Sequence, residues 1–306
     1  MSGLDIVSIG EPMIEFNQTR PGDPHYLQGY GGDTSNMIIA AARTGARAGY
    51  ITHIGDDEFG RMFLELWRSE GVDTRGVAVD TDAHTGVYFV THGLAGHAFG
   101  YLRAGSAASR MRPADLPLAL LREARFVHAS GISMAISASA ADTVLAAVDA
   151  TRAAGAKLSF DSNLRLKLWP LSRASALIGA AAGAADFFFT SLEDARALSR
   201  LQDPDGMLDW AHGLGAKNVL LMRGPEGVIA SDGAKRERIA GFRVEAVDAT
   251  GAGDCFCGAT LARLAAGDSL FEAARYGNAA AALKTTAYGA VAPLPRADAV
   301  RRLLRG

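Results

Sequence analysis

Residues 4–10, LDIVSIG, are a short run rich in β-branched side chains and closed by a glycine, which predicts a buried first strand. A helix is expected after the Gly31-Gly32 pair, with Asp33 or Thr34 as its N-cap, an Ala-rich body through 38–43, and Gly45 as its C-cap. The cycle then repeats. Strands at 48–54, 125–129, 157–160, 186–189 and 218–221 alternate with helical sequence, including 58–70 ending at Gly71 and 137–154 ending at Gly155. This rhythm predicts an α/β chain: a mostly parallel sheet with helices on both faces. Two stretches break it. Residues 13–30 are too short and loop-like for a helical crossover, and 85–92 with 98–103 alternate in polarity around 93–97 as an antiparallel hairpin does. Both are expected in a small β-sheet lying as a lid over the carboxyl ends of the large one, where open α/β sheets bind ligands. With no internal repeat or low-complexity linker, residues 1–306 read as one domain with lid insertions at about 13–30 and 85–103.

Composition removes several functions. The 306 residues are 49% hydrophobic and 21% charged, enough for a large core. A net charge of −2 provides no basic face to displace phosphate counterions, so no nucleic-acid partner is expected. The apolar stretches 174–185 and 279–294 are Ala/Gly-rich; the first stops at Asp186 and the second contains Lys284, so neither reads as a bilayer span. The opening MSGLD lacks the basic and apolar parts of a signal peptide, and a cytoplasmic location is the expectation. Cys255 and Cys257, two apart on a predicted helix, cannot form a disulfide framework. They read as small buried hydrophobes, with a lowered thiol pKa at a helix start as the alternative for Cys255. The seven histidines, His53, His92, His97 and His128 among them, show no ligand spacing.

The chemistry concentrates in residues 247–256, VDATGAGDCF, which lead into a helical run. Gly251, Ala252 and Gly253 let the backbone turn tightly and present successive amides at a positive helix end, a setting that stabilises charge on a phosphate undergoing transfer. Asp254 has two readings. It is either an ordinary acid at a helix start or, since a carboxylate there repels phosphate unless it has a task, the base that orients a substrate hydroxyl and takes its proton. The helix end would keep it ionised and weakly basic. No GxxxxGK[ST] loop occurs and no GxGxxG follows the first strand, so the frame is neither a Walker loop nor a dinucleotide fingerprint.

DATGAGD at 248–254 resembles the carboxyl-terminal signature of the ribokinase-like (PfkB-type) carbohydrate kinases, and GGDTSN at 31–36, with Gly45 and Gly55 downstream, resembles their amino-terminal one. The resemblance covers essentially the whole chain and implies a three-layer α/β/α fold with a β-sheet lid. Residues 31–36, 99–103 (FGYLR), 130–133 (SGIS) and 160–165 (FDSNLR), with Leu168-Trp169, look most like 2-keto-3-deoxygluconate kinases. The implied reaction is ATP-dependent formation of the 6-phosphate of that sugar acid. A sugar acid's carboxylate calls for guanidinium partners, and Arg103 and Arg165 are the candidates.

Further roles follow in the same way. Gly31 and Gly32 either form a plain turn or bring backbone close to sugar hydroxyls, with Asn36 completing the contact and Asp33 added by the resemblance. Tyr88 and Tyr101 are cross-strand packing partners or, as lid residues of the family, face the sugar. Arg103 and Arg165 each have a surface ion pair as the alternative. Asp161, Asn163 and Ser191 fall at strand ends, and the resemblance puts Asn163 and Ser191 near the ATP phosphates or the water shell of Mg²⁺, an ion expected to be held mainly by phosphates and water. Relatives often carry Asn-x-x-Glu where this chain has Ser191-Leu-Glu-Asp194, which leaves that metal-associated role open. Arg223, Gly224 and Gly227 resemble the segment bordering the nucleotide, with a surface turn as the alternative for Arg223, and Asn278 flanks adenine or ribose or faces solvent. A neutral-sugar kinase acting on fructose or ribose, and a non-catalytic sugar or nucleotide sensor, are the alternative functions. A homodimer or larger homo-oligomer through the lid is compatible with the kinase.

Overall fold

The computed structural model describes residues 3–93 and 96–306; Leu94 and Ala95, inside the expected hairpin turn, and Met1 and Ser2 of the opening segment lie outside the described residues. Thirteen strands are formed there: β1 (Leu4–Ile9), β2 (Met13–Gln18), β3 (Tyr26–Gly31), β4 (Ala48–Gly55), β5 (Asp73–Asp80), β6 (Gly86–Gly93), β7 (Gly96–Leu102), β8 (Ala124–Ser130), β9 (Lys157–Asp161), β10 (Phe187–Ser191), β11 (Asn218–Met222), β12 (Val228–Ser231) and β13 (Arg236–Ile239). Nine of them make one sheet in the order β13-β12-β11-β10-β9-β8-β1-β4-β5, parallel from β5 through β11 and closed at one edge by the antiparallel β12 and β13.

Central strands are buried on both faces, which is why they read as unbroken apolar runs. Phe187 and Phe189 enter the core on one side with Ile6, Leu220 and residues of the helices Asp33–Arg43, Ala252–Ala266 and Leu270–Lys284. Phe188 enters the other side with Val7, Leu221 and residues of Ala138–Ala153, Leu171–Ala184 and Pro204–Leu214. The expected three layers are present. Burying a side chain such as Phe188, which is 0% exposed, contributes roughly 1.5–3 kcal/mol.

The lid is a second, four-stranded sheet in the order β3-β2-β6-β7. β6 and β7 are the expected antiparallel hairpin, while residues 13–31 supply β2 and β3, with β2 running parallel to β6. Phe16 and Phe89 stack at 5.5 Å, and Phe16 also meets Phe59 of the helix Glu58–Ser69 at 5.9 Å, anchoring that face of the lid to the body. Alternation puts Met13, Glu15, Tyr88 and Val90 on the opposite face. The chain runs from β1 outward to β4 and β5, then returns to β8 on the other side of β1, so the sheet's switch point lies between β1 and β8.

Candidate functional site

Two helices begin side by side above that switch point. Gly32 caps Asp33–Arg43 at φ 96°, and a Cβ there would lie 2.3 Å from the Glu11 carbonyl oxygen, so the position demands glycine. This corrects the expected cap. Because Gly32 takes the left-handed turn, Asp33 and Thr34 are already helical, and the helix closes at Thr44 with Gly45 just beyond. Gly251 caps Ala252–Ala266 at φ 77°. The helices touch where a Cβ on Gly258 would come within 2.2 Å of the Met37 carbonyl oxygen, so both amino ends converge.

At that convergence the two glycine motifs meet. Asn36 donates its amide to Asp254 at 2.8 Å, and Asn163 donates to Asp33 at 2.9 Å. Asp33 Oδ1 and Asn36 Oδ1 are buried acceptors without a partner among the described residues. Burial, and then the charge of Asp33, push Asp254 up to about 7, against the Asn36 hydrogen bond and the charges of Arg165 and Lys284. The expectation of an ionised, weakly basic carboxylate is corrected, since desolvation and the Asp33 charge raise it. Of the three expected turn amides, Ala252 is engaged with the Ala249 carbonyl at 3.1 Å, while Gly253 lies in the first helical turn, whose amides have no intrahelical acceptor.

The lid brings the remaining sugar-side candidates to the rim. Gly31 lies against Tyr88, where a Cβ would be 2.6 Å from the phenol oxygen. Tyr88 and Tyr101 are paired across β6 and β7 with rings 6.1 Å apart, so the packing role is present in both. The Tyr88 hydroxyl is committed to buried Glu15, whereas Tyr101 is exposed. Arg103 forms a buried ion pair with Glu11, which also accepts from Ser106. Of the two readings of Arg103 the ion pair is present, but buried and not at the surface: Nη2 is taken, and Nε remains buried and unpartnered. Arg165 is exposed, donates to the Leu164 carbonyl at 2.9 Å, and stays close enough for its charge to act on Asp254.

The nucleotide-side candidates divide. Asn163, at φ 30°, turns to Asp33 and so joins the sugar-side cluster. The Ser191 hydroxyl is an N-cap, accepting from the Asp194 amide at 3.0 Å, and Asp194 accepts from Ser162 Oγ at 2.8 Å and the Leu164 amide at 2.9 Å. That pair braces the loop carrying Asn163 and Arg165. Arg223 pairs with Glu226 through one nitrogen while its Nε is buried and unpartnered; Gly224 and Gly227 flank this turn at φ 57° and 95°. Asn278 is buried and donates to the Ala240 carbonyl at 2.8 Å, which overturns the solvent-facing alternative. The Cys255 thiol is driven up to about 12 by burial and by Asp254, and Cys257 well above its usual value, so the lowered-pKa alternative is corrected as well. Asp161, also buried, is raised by desolvation and the carboxylates around it.

Three residues of the site escape a sequence reading. Glu11 had the signal of an acid directly after the first strand. Glu15 sits on a lid strand with no local mark. Lys284 showed only as a lone charge in an apolar helix. Among the described residues no group of three or more His, Cys, Asp or Glu could hold a metal ion, and no helix is long and apolar enough to cross a membrane.

Residues 4–297 match the family described as pfkB family carbohydrate kinase. Fructokinase-2 of Solanum habrochaites is 34% identical over 100% of this chain and 97% of its own length. The 2-dehydro-3-deoxygluconokinase of Thermoproteus tenax is 33% identical over 99% and 94%. Among solved structures, an E. coli protein described as a ribokinase II, in complex with ATP and Mg²⁺, superposes with a TM-score of 0.92 at 26% identity, covering 99% of each chain.

Proposed function

The chain belongs to the pfkB family of carbohydrate kinases, and from that premise we propose that it transfers the γ-phosphoryl group of ATP to the 6-hydroxyl of 2-keto-3-deoxygluconate. The observation that carries the transfer chemistry is Asp254, held by Asn36 beside the Gly251–Gly253 turn with a carboxylate raised to about 7. A base poised there takes the hydroxyl proton as the sugar oxygen attacks phosphorus, and the Gly253 amide with the positive helix end stabilises the charge that spreads over the phosphate oxygens. Asp33, with its unpartnered Oδ1, and Asn36 are placed to hold sugar hydroxyls, and closure of the lid excludes water.

The unpartnered Nε of Arg223 suits an incoming polyphosphate. Asp194, the acid nearest the expected metal-associated position, is committed to Ser162 and Leu164, which fits a Mg²⁺ carried on the nucleotide phosphates and water. That ion supplies charge neutralisation of the β- and γ-phosphates when bound.

The acid substrate is supported by the exposed Arg165 and by the buried, unpartnered Nε of Arg103. A neutral ketose such as fructose is the second reading. It is favoured by the Arg103–Glu11 pair, which cancels one of the two positive charges, and by the fructokinase relatives. ADP release measured with 2-keto-3-deoxygluconate, fructose and ribose decides between them. The keto-acid should show the highest kcat/KM; equal or greater efficiency with fructose would overturn the acid reading.

A further inference from the structure

Lys284 is 0% exposed, an unusual fate for a lysine, and it closes the helix Leu270–Lys284 at the end where the helix dipole is negative. Among the described residues it makes no ion pair. Its ammonium donates instead to a backbone carbonyl, that of Asp248, at 2.9 Å. Asp248 opens the phosphate-facing turn and is fixed on every other side as well. Its carboxylate accepts from the amides of Thr250 and Gly289, each at 2.9 Å, and its own amide donates to the Thr285 carbonyl at 3.0 Å. Two residues after Thr250 begins the turn, the chain enters the helix that carries Asp254.

The carboxylates around this ammonium are those of Glu15, Asp248 and Asp254, with the Cys255 thiol beside them. A negative helix end and three carboxylates surround a place where a polyphosphate must dock. Without a cation the repulsion would be large, and a freely diffusing ion would have to be captured each time. A covalently tethered ammonium supplies that charge permanently.

We propose that Lys284 is a positioning residue, a built-in cation that holds the Asp248 carbonyl and so fixes the turn at 248–251 that aims its amides and Asp254 at the transferred phosphoryl group. It touches neither sugar nor nucleotide. The inference rests on phosphoryl transfer at this turn and not on the choice of sugar, so rates are read with whichever sugar the wild type phosphorylates; wild-type inactivity on every sugar would instead defeat the kinase reading.

Three measurements test it. Wild-type turnover at constant ionic strength should be the same in tetramethylammonium, sodium and potassium chloride, because the cation is already in place; a rise of several-fold with potassium would overturn the proposal whatever the variants do. Lys284→Met should lose on the order of 10²-fold in kcat, the scale of a lost preorganised electrostatic element, with the KM values for sugar and ATP little changed. Lys284→Ala, which leaves room for a small cation, should regain about a tenth or more of the lost rate in ammonium chloride but not in tetramethylammonium chloride. A folded variant with near wild-type kcat, or an Ala variant whose lost rate no small cation restores, would overturn it.

Discussion

The Asn36 side-chain amide donates to Oδ2 of Asp254 at 2.8 Å, joining residues 218 positions apart. This bond ties the two glycine motifs into one site, and it makes Asp254 the point of greatest sensitivity. Asp254→Asn should lower kcat by roughly two to four orders of magnitude, the range for loss of a general base, while ATP affinity by calorimetry stays near wild type. Retention of wild-type turnover would remove the base assignment.

The pH dependence follows from the same carboxylate. Burial and Asp33 raise Asp254 to about 7, and the base must be deprotonated to act, so kcat/KM should rise with pH and level off above that value. Asn36→Leu deletes the hydrogen bond that favours the charged form and should move this limb to higher pH. A limb near the ordinary carboxylate range in the wild type, or one that Asn36→Leu leaves in place, would contradict the assignment.

How much of this was legible depended on how far apart the partners lie. β10 and β11 are readable because strands buried on both faces must be apolar throughout, and both signature turns are readable because Gly32 and Gly251 occupy backbone regions other residues avoid. β5, with the sequence DTRGVAVD, is an edge strand half open to solvent, so it lacks that apolar mark. β12 and β13 are a short antiparallel closure on the opposite edge, again too brief for a pattern. Arg103 is readable as a cation near the lid, but nothing in its own segment names Glu11, 92 positions away, as its partner. Charge pairing over such separations is a property of the fold.

Arg165 separates the two substrate readings. Arg165→Ala should raise KM for 2-keto-3-deoxygluconate by ten-fold or more, about what one charge-assisted pair contributes, and change KM for fructose little. Equal effects on the two sugars would leave the acid substrate without its main support.

The Arg103–Glu11 pair sets a stability prediction. Arg103→Met leaves Glu11 buried with no countercharge and should cost about 3–5 kcal/mol by urea unfolding, with much of it recovered in the Glu11→Gln, Arg103→Met double variant. Burial raises the Glu11 pKa and the Arg103 charge opposes that rise, so removing Arg103 raises it further and lets the folded variant keep a proton to higher pH than the unfolded chain does. Stability from that proton is present at low pH and lost as pH rises, and the single variant should therefore be further below wild type at pH 8 than at pH 5. A pH-independent difference would mean that Glu11 is charged throughout.

Asp194 stands where the family resemblance leads one to expect a metal-associated acid, yet its oxygen is spent on Ser162 Oγ and the Leu164 amide. Its work here is to brace the loop that presents Asn163 to Asp33 and Arg165 to the mouth of the site. Asp194→Ala leaves the Leu164 amide without its acceptor, at about 1–3 kcal/mol, while Ser162 Oγ keeps Thr190 Oγ1 as a partner, and lets the loop relax. The variant should raise the sugar KM several-fold, while the Mg²⁺ concentration giving half-maximal rate at saturating sugar and fixed ATP stays where it is in the wild type. A shift of that Mg²⁺ midpoint by ten-fold with an unchanged sugar KM would return Asp194 to the metal and take the loop-bracing role away from it.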